Sequence, residues 1–318
     1  MLYHDYMKEL NTISGFFFDT TNSILCDVDE PFLKEAIELC SHYEKLLSRF
    51  VAGSDMWRIN HSKGELVPVS SETLELLACA EKIRIASEGA FDIAMGSISK
   101  LWDFTGKNGG IRKAPEKERL VQAQQLVKQT IIKVEGNCVA VPQGATLDLG
   151  GIAKGYICDR IAEFLRKAGA TSGYLNFGGN VVTIGLHPEK RPWQVGIQAP
   201  SAQRGERVFA VVESSNSAVV TSGVYERAFL QEGMVYHHIL DPETGLPAKS
   251  NLLSATVVMS DGMLADALST ALLVLGAEKG IPFINSFCAE AITLDANGHV
   301  HTTPNLKNAL CKNPIKSN

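Results

Sequence analysis

Apolar residues along this chain switch between two periods. From Pro31 onward they recur at helical spacing, at Ile37, Leu39, Cys40, Tyr43, Leu46 and Leu47, which predicts a helix over 30–49. The same spacing predicts a helix over 71–87, with Ser71 as N-cap and Leu74, Leu77, Ala78, Ile83 and Ile85 inside. Further helices are expected through Leu126, over 153–168 with Gly169 closing it, and over 264–275 with Gly276 as its cap. Shorter runs rich in Val, Ile, Thr and aromatics read as strands at 16–25, 147–149, 181–184, 193–199, 208–212, 219–223, 235–240, 254–259, 291–294 and 299–302. Residues 131–141 read as a hairpin turning at Glu135-Gly136-Asn137, and the charged segment 107–119 as an exposed loop. Strands in series with helices between some of them predict an α+β fold, a mixed β-sheet core with packed helices. One domain is expected over 12–303, followed by a flexible tail over 304–318.

One stretch organises the chemistry. Leu147-Asp148-Leu149 breaks at Gly150-Gly151 and runs into the helix that begins at Ile152-Ala153-Lys154. A strand turning through glycines into a helix aims backbone N–H groups and a positive dipole end at whatever lies in front. The glycine spacing matches neither a P-loop nor a dinucleotide fingerprint, so a phosphate site and a plain tight connection both remain open here. Asp266 and Thr270, four apart, share a face of an apolar helix. Their oxygens suit a hard cation, or with Ser269 they form a solvated stripe. His237 and His238 close a strand before the rigid turn Asp241-Pro242-Glu243-Thr244-Gly245, and strand alternation sends them to opposite faces. His238 is then a general base or a turn-stabilising residue. Phe50, Phe91 and Tyr156 stand beside polar or glycine-rich loops and suit either a flat ligand or the core. Asn60 and Asp92 suit ligand edges or caps.

Composition narrows the function classes. The chain has 318 residues, 45% hydrophobic and 20% charged, with a net charge of −5. No basic stripe points to nucleic acid. No apolar run is read as long enough to cross a bilayer. The seven cysteines make no C-x-x-C, and the first residues carry mixed charge without an apolar h-region. A cytoplasmic protein with reduced cysteines is expected, with Cys40, Cys79 and Cys158 as small core residues.

Six segments then occur in order: Gly-Ala-Phe-Asp at 89–92, Leu-Asp-Leu-Gly-Gly-Ile-Ala-Lys-Gly-Tyr at 147–156, Asn-Phe-Gly-Gly-Asn at 176–180, Val-Thr-Ser-Gly at 220–223, His-Ile-Leu-Asp-Pro-Glu-Thr-Gly at 238–245 and Ala-Asp-Ala-Leu-Ser-Thr-Ala at 265–271. Together they resemble the ApbE family of FAD:protein FMN transferases, over nearly the whole chain. The resemblance implies that Mg²⁺ helps split the FAD pyrophosphate, that FMN is esterified through its phosphate to a Thr or Ser of an acceptor flavoprotein, and that AMP leaves. It implies Asp266 and Thr270 as side-chain metal ligands and Ala153 as a carbonyl ligand. His238 matches a histidine near the reacting phosphates, and Asp266 or His238 would accept the hydroxyl proton. Phe50, Asn60, Ala90, Phe91, Asp92, Gly150, Lys154, Tyr156, Thr221, Ser222 and Ile239 fall at positions expected to line the FAD cleft. Phe18-Asp19-Thr20 departs from the family's usual Gly-Thr pair near the first strand. An FAD pyrophosphatase and a non-catalytic FAD carrier are the competing readings. With no export segment in the sequence, the acceptor is expected in, or facing, the cytoplasm.

Overall fold

The computed structural model describes residues 9–104, 112–200 and 207–309. The chain opens with β1 (Asn11–Phe17) and β2 (Thr20–Cys26), then α1 (Glu30–Leu47), α2 (Asp55–Asn60), β3 (Val67–Pro68), α3 (Ser71–Ala86), α4 (Gly96–Ser99), α5 (Lys117–Gln129), β4 (Lys133–Glu135) and β5 (Cys138–Ala140). It continues with α6 (Ala153–Lys167), β6 (Ser172–Phe177), β7 (Asn180–Gly185), β8 (Trp193–Gln198), β9 (Val208–Ser214), β10 (Ala218–Gly223), β11 (Ala228–Gln231) and β12 (Met234–His237). The last elements are β13 (Leu252–Met259), α7 (Gly262–Asn285), β14 (Glu290–Asp295) and β15 (Val300–Thr302).

The fold is α+β. Eight strands form one sheet in the order β1-β2-β6-β7-β10-β13-β14-β15, and every neighbouring pair is antiparallel. Helices α1, α6 and α7 pack on one face and build the main core. The separate pair β8–β9 covers part of the other face, where Val195, Ile197, Phe209 and Val212 meet Val181, Val219 and Ile292. The sheet is therefore buried on both sides, which is why β7 reads as a continuous apolar run instead of an alternating one.

Several elements differ from the sequence reading. The strand expected over 16–25 is a hairpin. It turns at Phe18 and Asp19, both at positive φ (57° and 58°), with no glycine to announce the turn. Ser70, not Ser71, caps α3, and its hydroxyl accepts the Thr73 N–H at 3.1 Å. Ile85 is 64% exposed and Ala78 is exposed, because the buried stripe of α3 runs through Thr73, Leu76, Leu77, Ala80 and Ile83. Residues 147–149 form no strand: the Asn60 side chain takes the partner's place, accepting the Leu147 N–H at 2.7 Å and donating to its carbonyl at 3.0 Å. β12 ends at His237, so His238 lies just past the ladder. The helix expected to stop at Gly276 breaks there (φ 78°, ψ 169°) and resumes to Asn285. At 24 residues and a best-window hydropathy of 1.4, α7 is long and apolar enough to cross a membrane, contrary to expectation. Here it packs on β10 and β13 in the core. Of the expected tail, residues 304–309 form an ordered 3₁₀ turn whose Leu306 packs on the second core. Residues 310–318, Cys311 included, and 105–111 of the expected loop lie outside the described residues.

One contact fixes the helical layer. Gly155 of α6 meets the start of α7 so closely that a Cβ would run into the Gly262 carbonyl and come within 2.8 Å of the Asp266 Cβ. One turn on, Asp159 Oδ2 accepts the N–H groups of Gly262 (2.7 Å) and Met263 (3.0 Å). The two helices are thus locked at backbone contact. Gly155→Ala is expected to destabilise the protein by about 1–3 kcal/mol through overpacking, read as a lowered urea midpoint with an unchanged denaturant slope.

Candidate active site

A cleft of about 1410 Å³ opens where the turn after Leu149, the start of α6, the end of β10 and α7 converge. Its volume exceeds the roughly 300–1,000 Å³ common for small-ligand pockets. Of the expected site residues, Phe50, Asn60, Ala90, Phe91, Asp92 and Gly150 line it. So do Ala153, Lys154, Thr221, Ser222, His238 and Ile239, and from α7 Asp266 and Thr270. Tyr156 does not. It is 1% exposed, and its ring packs edge-on against Tyr43 at 6.0 Å. Two residues along a helix are roughly 200° apart, so with Lys154 in the cleft Tyr156 points into the core.

Asp266 is the central charge. It is 3% exposed, and its Oδ2 accepts the Gly155 N–H at 3.0 Å. No side chain of α6 itself caps that helix, so Asp266 from α7 does so. The amides of Ala153 and Tyr156 are also taken, by the carbonyls of Leu149 and Ile152. The start of α6 therefore serves a protein carboxylate and is no open row of amides for phosphate. Lys154 Nζ lies 3.8 Å from Asp266 Oδ2 and donates to the Gly150 carbonyl at 3.1 Å. Asp266 Oδ1 has no hydrogen-bond partner among the described residues.

Thr270 lies one turn further along α7. Its hydroxyl is 3.3 Å from Ser222 Oγ and 3.4 Å from the Asp266 carbonyl. Ser269 is fully buried and bonded to Ser222 at 2.8 Å, so the α7 stripe is no solvated face. Asp266 and Thr270 bring oxygen donors to the cleft, and Ala153 lines it beside them. Among the described residues no group of three His, Cys, Asp or Glu is placed to hold a metal ion by itself. One buried carboxylate with neutral oxygens fits a hard cation such as Mg²⁺, which completes its shell with water and substrate phosphate.

His238 faces the same cleft from the base of β11–β12. Its Nδ1 is 3.3 Å from the Arg227 carbonyl, which can only accept, so Nδ1 carries the proton and Nε2 is the free base. Burial, and next the Arg227 cation, push its pKa down to about 3. The ring is neutral at neutral pH. Asp92 is raised above the ordinary carboxylate range by burial, while the Ala94 N–H it accepts at 2.8 Å opposes the shift.

Sequence reasoning missed the basic wall. Arg49 pairs with Asp148 at 3.1 Å and donates to Ser99 at 2.9 Å, and its guanidinium lies 4.8 Å from the Phe50 ring centre. Asp148 Oδ1 accepts the Gly150 N–H at 3.0 Å, so this acidic residue in an apolar run shapes the turn. Lys100 and Arg227 complete the wall. These three cations come from three separate segments, beside the expected Lys154, and leave no sequence motif. Phe50 itself is 76% exposed at the mouth.

The ApbE family model matches residues 18–293. A FAD:protein FMN transferase of Klebsiella pneumoniae is 36% identical over 79% of this chain and 78% of its own. One from Vibrio cholerae is 31% identical over 85% and 82%. Among solved structures, the ApbE protein of Thermotoga maritima superposes with a TM-score of 0.87 at 30% identity, covering 96% of this chain and all of that one. The Pseudomonas stutzeri flavinyl transferase ApbE gives 0.82 at 28%, covering 95% and 97%. A match along the body of the chain, joined to a shared fold, means that this chain belongs to the ApbE family.

Proposed function

We propose that the chain moves the FMN part of FAD onto a Thr or Ser hydroxyl of an acceptor flavoprotein and releases AMP, with Mg²⁺ as cofactor. One observation carries this reading: a desolvated carboxylate, Asp266, held by the Gly155 amide and facing the same cleft as a neutral His238. The relatives' name, FAD:protein FMN transferase, supports it. Cys40, Cys79, Cys138, Cys158 and Cys288 keep free thiols, in keeping with a reducing, cytoplasmic setting as part of the same proposal.

The steps balance simply. The acceptor oxygen bonds to the FMN phosphorus, the pyrophosphate bridge breaks, and AMP departs with the bridging oxygen. The acceptor proton goes to His238 Nε2. Asp266, Thr270 and Ala153 would hold Mg²⁺, which when bound neutralises phosphate charge in a loose, phosphoryl-type transition state. Lys154, Arg49, Lys100 and Arg227 attract the dianionic pyrophosphate and orient it. A pKa of about 3 makes His238 a weak base in the free enzyme. The negative charge of pyrophosphate beside it opposes the Arg227 effect and raises the pKa from that value. Water in place of the hydroxyl would give FAD hydrolysis in the same cleft.

Asp266→Asn keeps the volume and the bond from Gly155 but loses the charge. It is expected to cut FMN transfer by roughly a thousandfold, the several kcal/mol a metal-bound phosphate is worth. In-gel flavin fluorescence of an apo-acceptor measures it. Activity near wild type, or transfer insensitive to EDTA, would refute the metal assignment.

The His238 shift sets a sign. Its folded pKa lies below the unfolded value of about 6.5, so the unfolded chain binds more protons and this site loses stability as pH falls from about 6.5 toward 3. NMR titration of the free protein is expected to show a neutral His238 throughout about pH 5–8, and an upward shift with FAD bound. His238→Ala is expected to slow transfer while leaving FAD affinity near wild type.

Phe50→Ala is expected to weaken FAD binding by about 1–3 kcal/mol if its exposed ring stacks on a flat ligand. Tyr156→Phe is expected to leave it unchanged, since that ring lies in the core. Fluorescence titration with FAD compares the two.

A further inference from the structure

Among the described residues the hairpin β11–β12 belongs to no larger sheet, and its two strands pair with each other. Its two-residue turn holds Glu232 and Gly233 at positive φ, 51° and 77°. His238 N–H donates to the Arg227 carbonyl at 3.1 Å, so these residues are a bonded pair. Bonded and non-bonded pairs alternate along an antiparallel ladder. Phe229–Tyr236 is then a bonded pair, while Ala228–His237 and Leu230–Val235 turn their N–H and C=O groups outward.

One end of the outer edge of β12 is already occupied. The Ile239 carbonyl accepts the Ala248 N–H at 3.0 Å, and Leu240 bridges Pro247. By the same alternation, Ile239, His237 and Val235 face that side. The chain's own residues 246–248 thus cover the end beside the cleft, and the backbone of Val235 and His237 has no partner there among the described residues. On one face the side chains are apolar and open: Val235 is 64% exposed and Leu230 69%. The opposite face is anchored, with Phe229 stacked on Tyr236 at 5.4 Å and packed against Phe104 at 5.7 Å. An anchored, apolar strand edge with unpaired backbone groups is a template for an added strand.

We propose that the free edge of β12 docks the acceptor polypeptide. An extended segment next to the modified Thr or Ser pairs with Val235 and His237, in line with residues 246–248, and delivers the hydroxyl to His238. This rests on the transferase reading above. The occupant follows from the reaction: the co-substrate is a polypeptide that must reach His238. A segment on this edge runs one strand spacing, about 4.8 Å, from the strand leading into that residue. Backbone pairing supplies most of the recognition, and apolar side chains at alternate positions meet Val235 and Leu230.

Val235→Pro removes an outward N–H without breaking a bond of the hairpin's own ladder, whereas Val235→Thr keeps that N–H. The probe is the apo-form of a flavoprotein subunit that carries FMN on a threonine when mature. FAD affinity and acceptor-free FAD hydrolysis are measured alongside. Val235→Pro is expected to raise the acceptor KM roughly tenfold, with Val235→Thr near wild type and both FAD readouts unchanged in each. A wild-type acceptor KM in Val235→Pro overturns the proposal, as does an equal loss in Val235→Thr. Sedimentation showing a dimer that Val235→Pro dissociates would assign the edge to a second copy instead and overturn it too. Wild-type protein that hydrolyses FAD but modifies no acceptor overturns the transferase reading and the docking edge together. A fault in docking alone leaves wild-type transfer intact.

Discussion

The close crossing of α6 and α7 governs everything else at the site. Gly155 lets the two backbones touch, and Asp159 pins the start of α7 to α6. Only then does Asp266 reach the Gly155 amide and cap a helix that has no cap of its own. A buried carboxylate is costly unless its oxygens are satisfied. Here one oxygen is held by the protein and the other is left to the cleft. The same contact that stabilises the helix pair therefore holds a charge where a cation and phosphates can use it.

Charge is distributed with the same economy. The cations come from just past α1, just past α4, the start of α6 and the turn before β11, so no single segment is strongly basic. Arg49 is already paired with Asp148, and Asp148 in turn sets the Gly150 turn. The basic wall is thus tied to the loop it faces, and His238 is kept neutral beside it by burial and by Arg227.

Helices α1 and α6 were legible because each buries one stripe at helical spacing, whereas α7 is buried all round. Every expected site residue except Tyr156 lines the cleft. Other features were not local and could not be read. A turn of Phe18 and Asp19 carries no glycine, and a side chain, Asn60, replaces a strand partner for Leu147. Tyr156 fits a glycine-rich loop by sequence, yet α6 turns it inward two residues after Lys154. Nothing local to Gly155 says what packs against it. That answer sits 111 residues away, in Asp266.

Those long separations have a consequence for biogenesis. Asn60 meets Leu147 across 87 residues, Trp102 meets Gly245 across 143, and Asp266 meets Gly155 across 111. Non-local pairings form slowly, because loop entropy must be overcome before they yield stability. On the ribosome α6 emerges long before α7, so its first turn stays uncapped and its glycine face open until synthesis passes residue 270. A nascent chain therefore has no cleft for a flavin nucleotide, and any FAD that engages it afterwards acts as a late ligand that shifts the folding balance toward the finished protein.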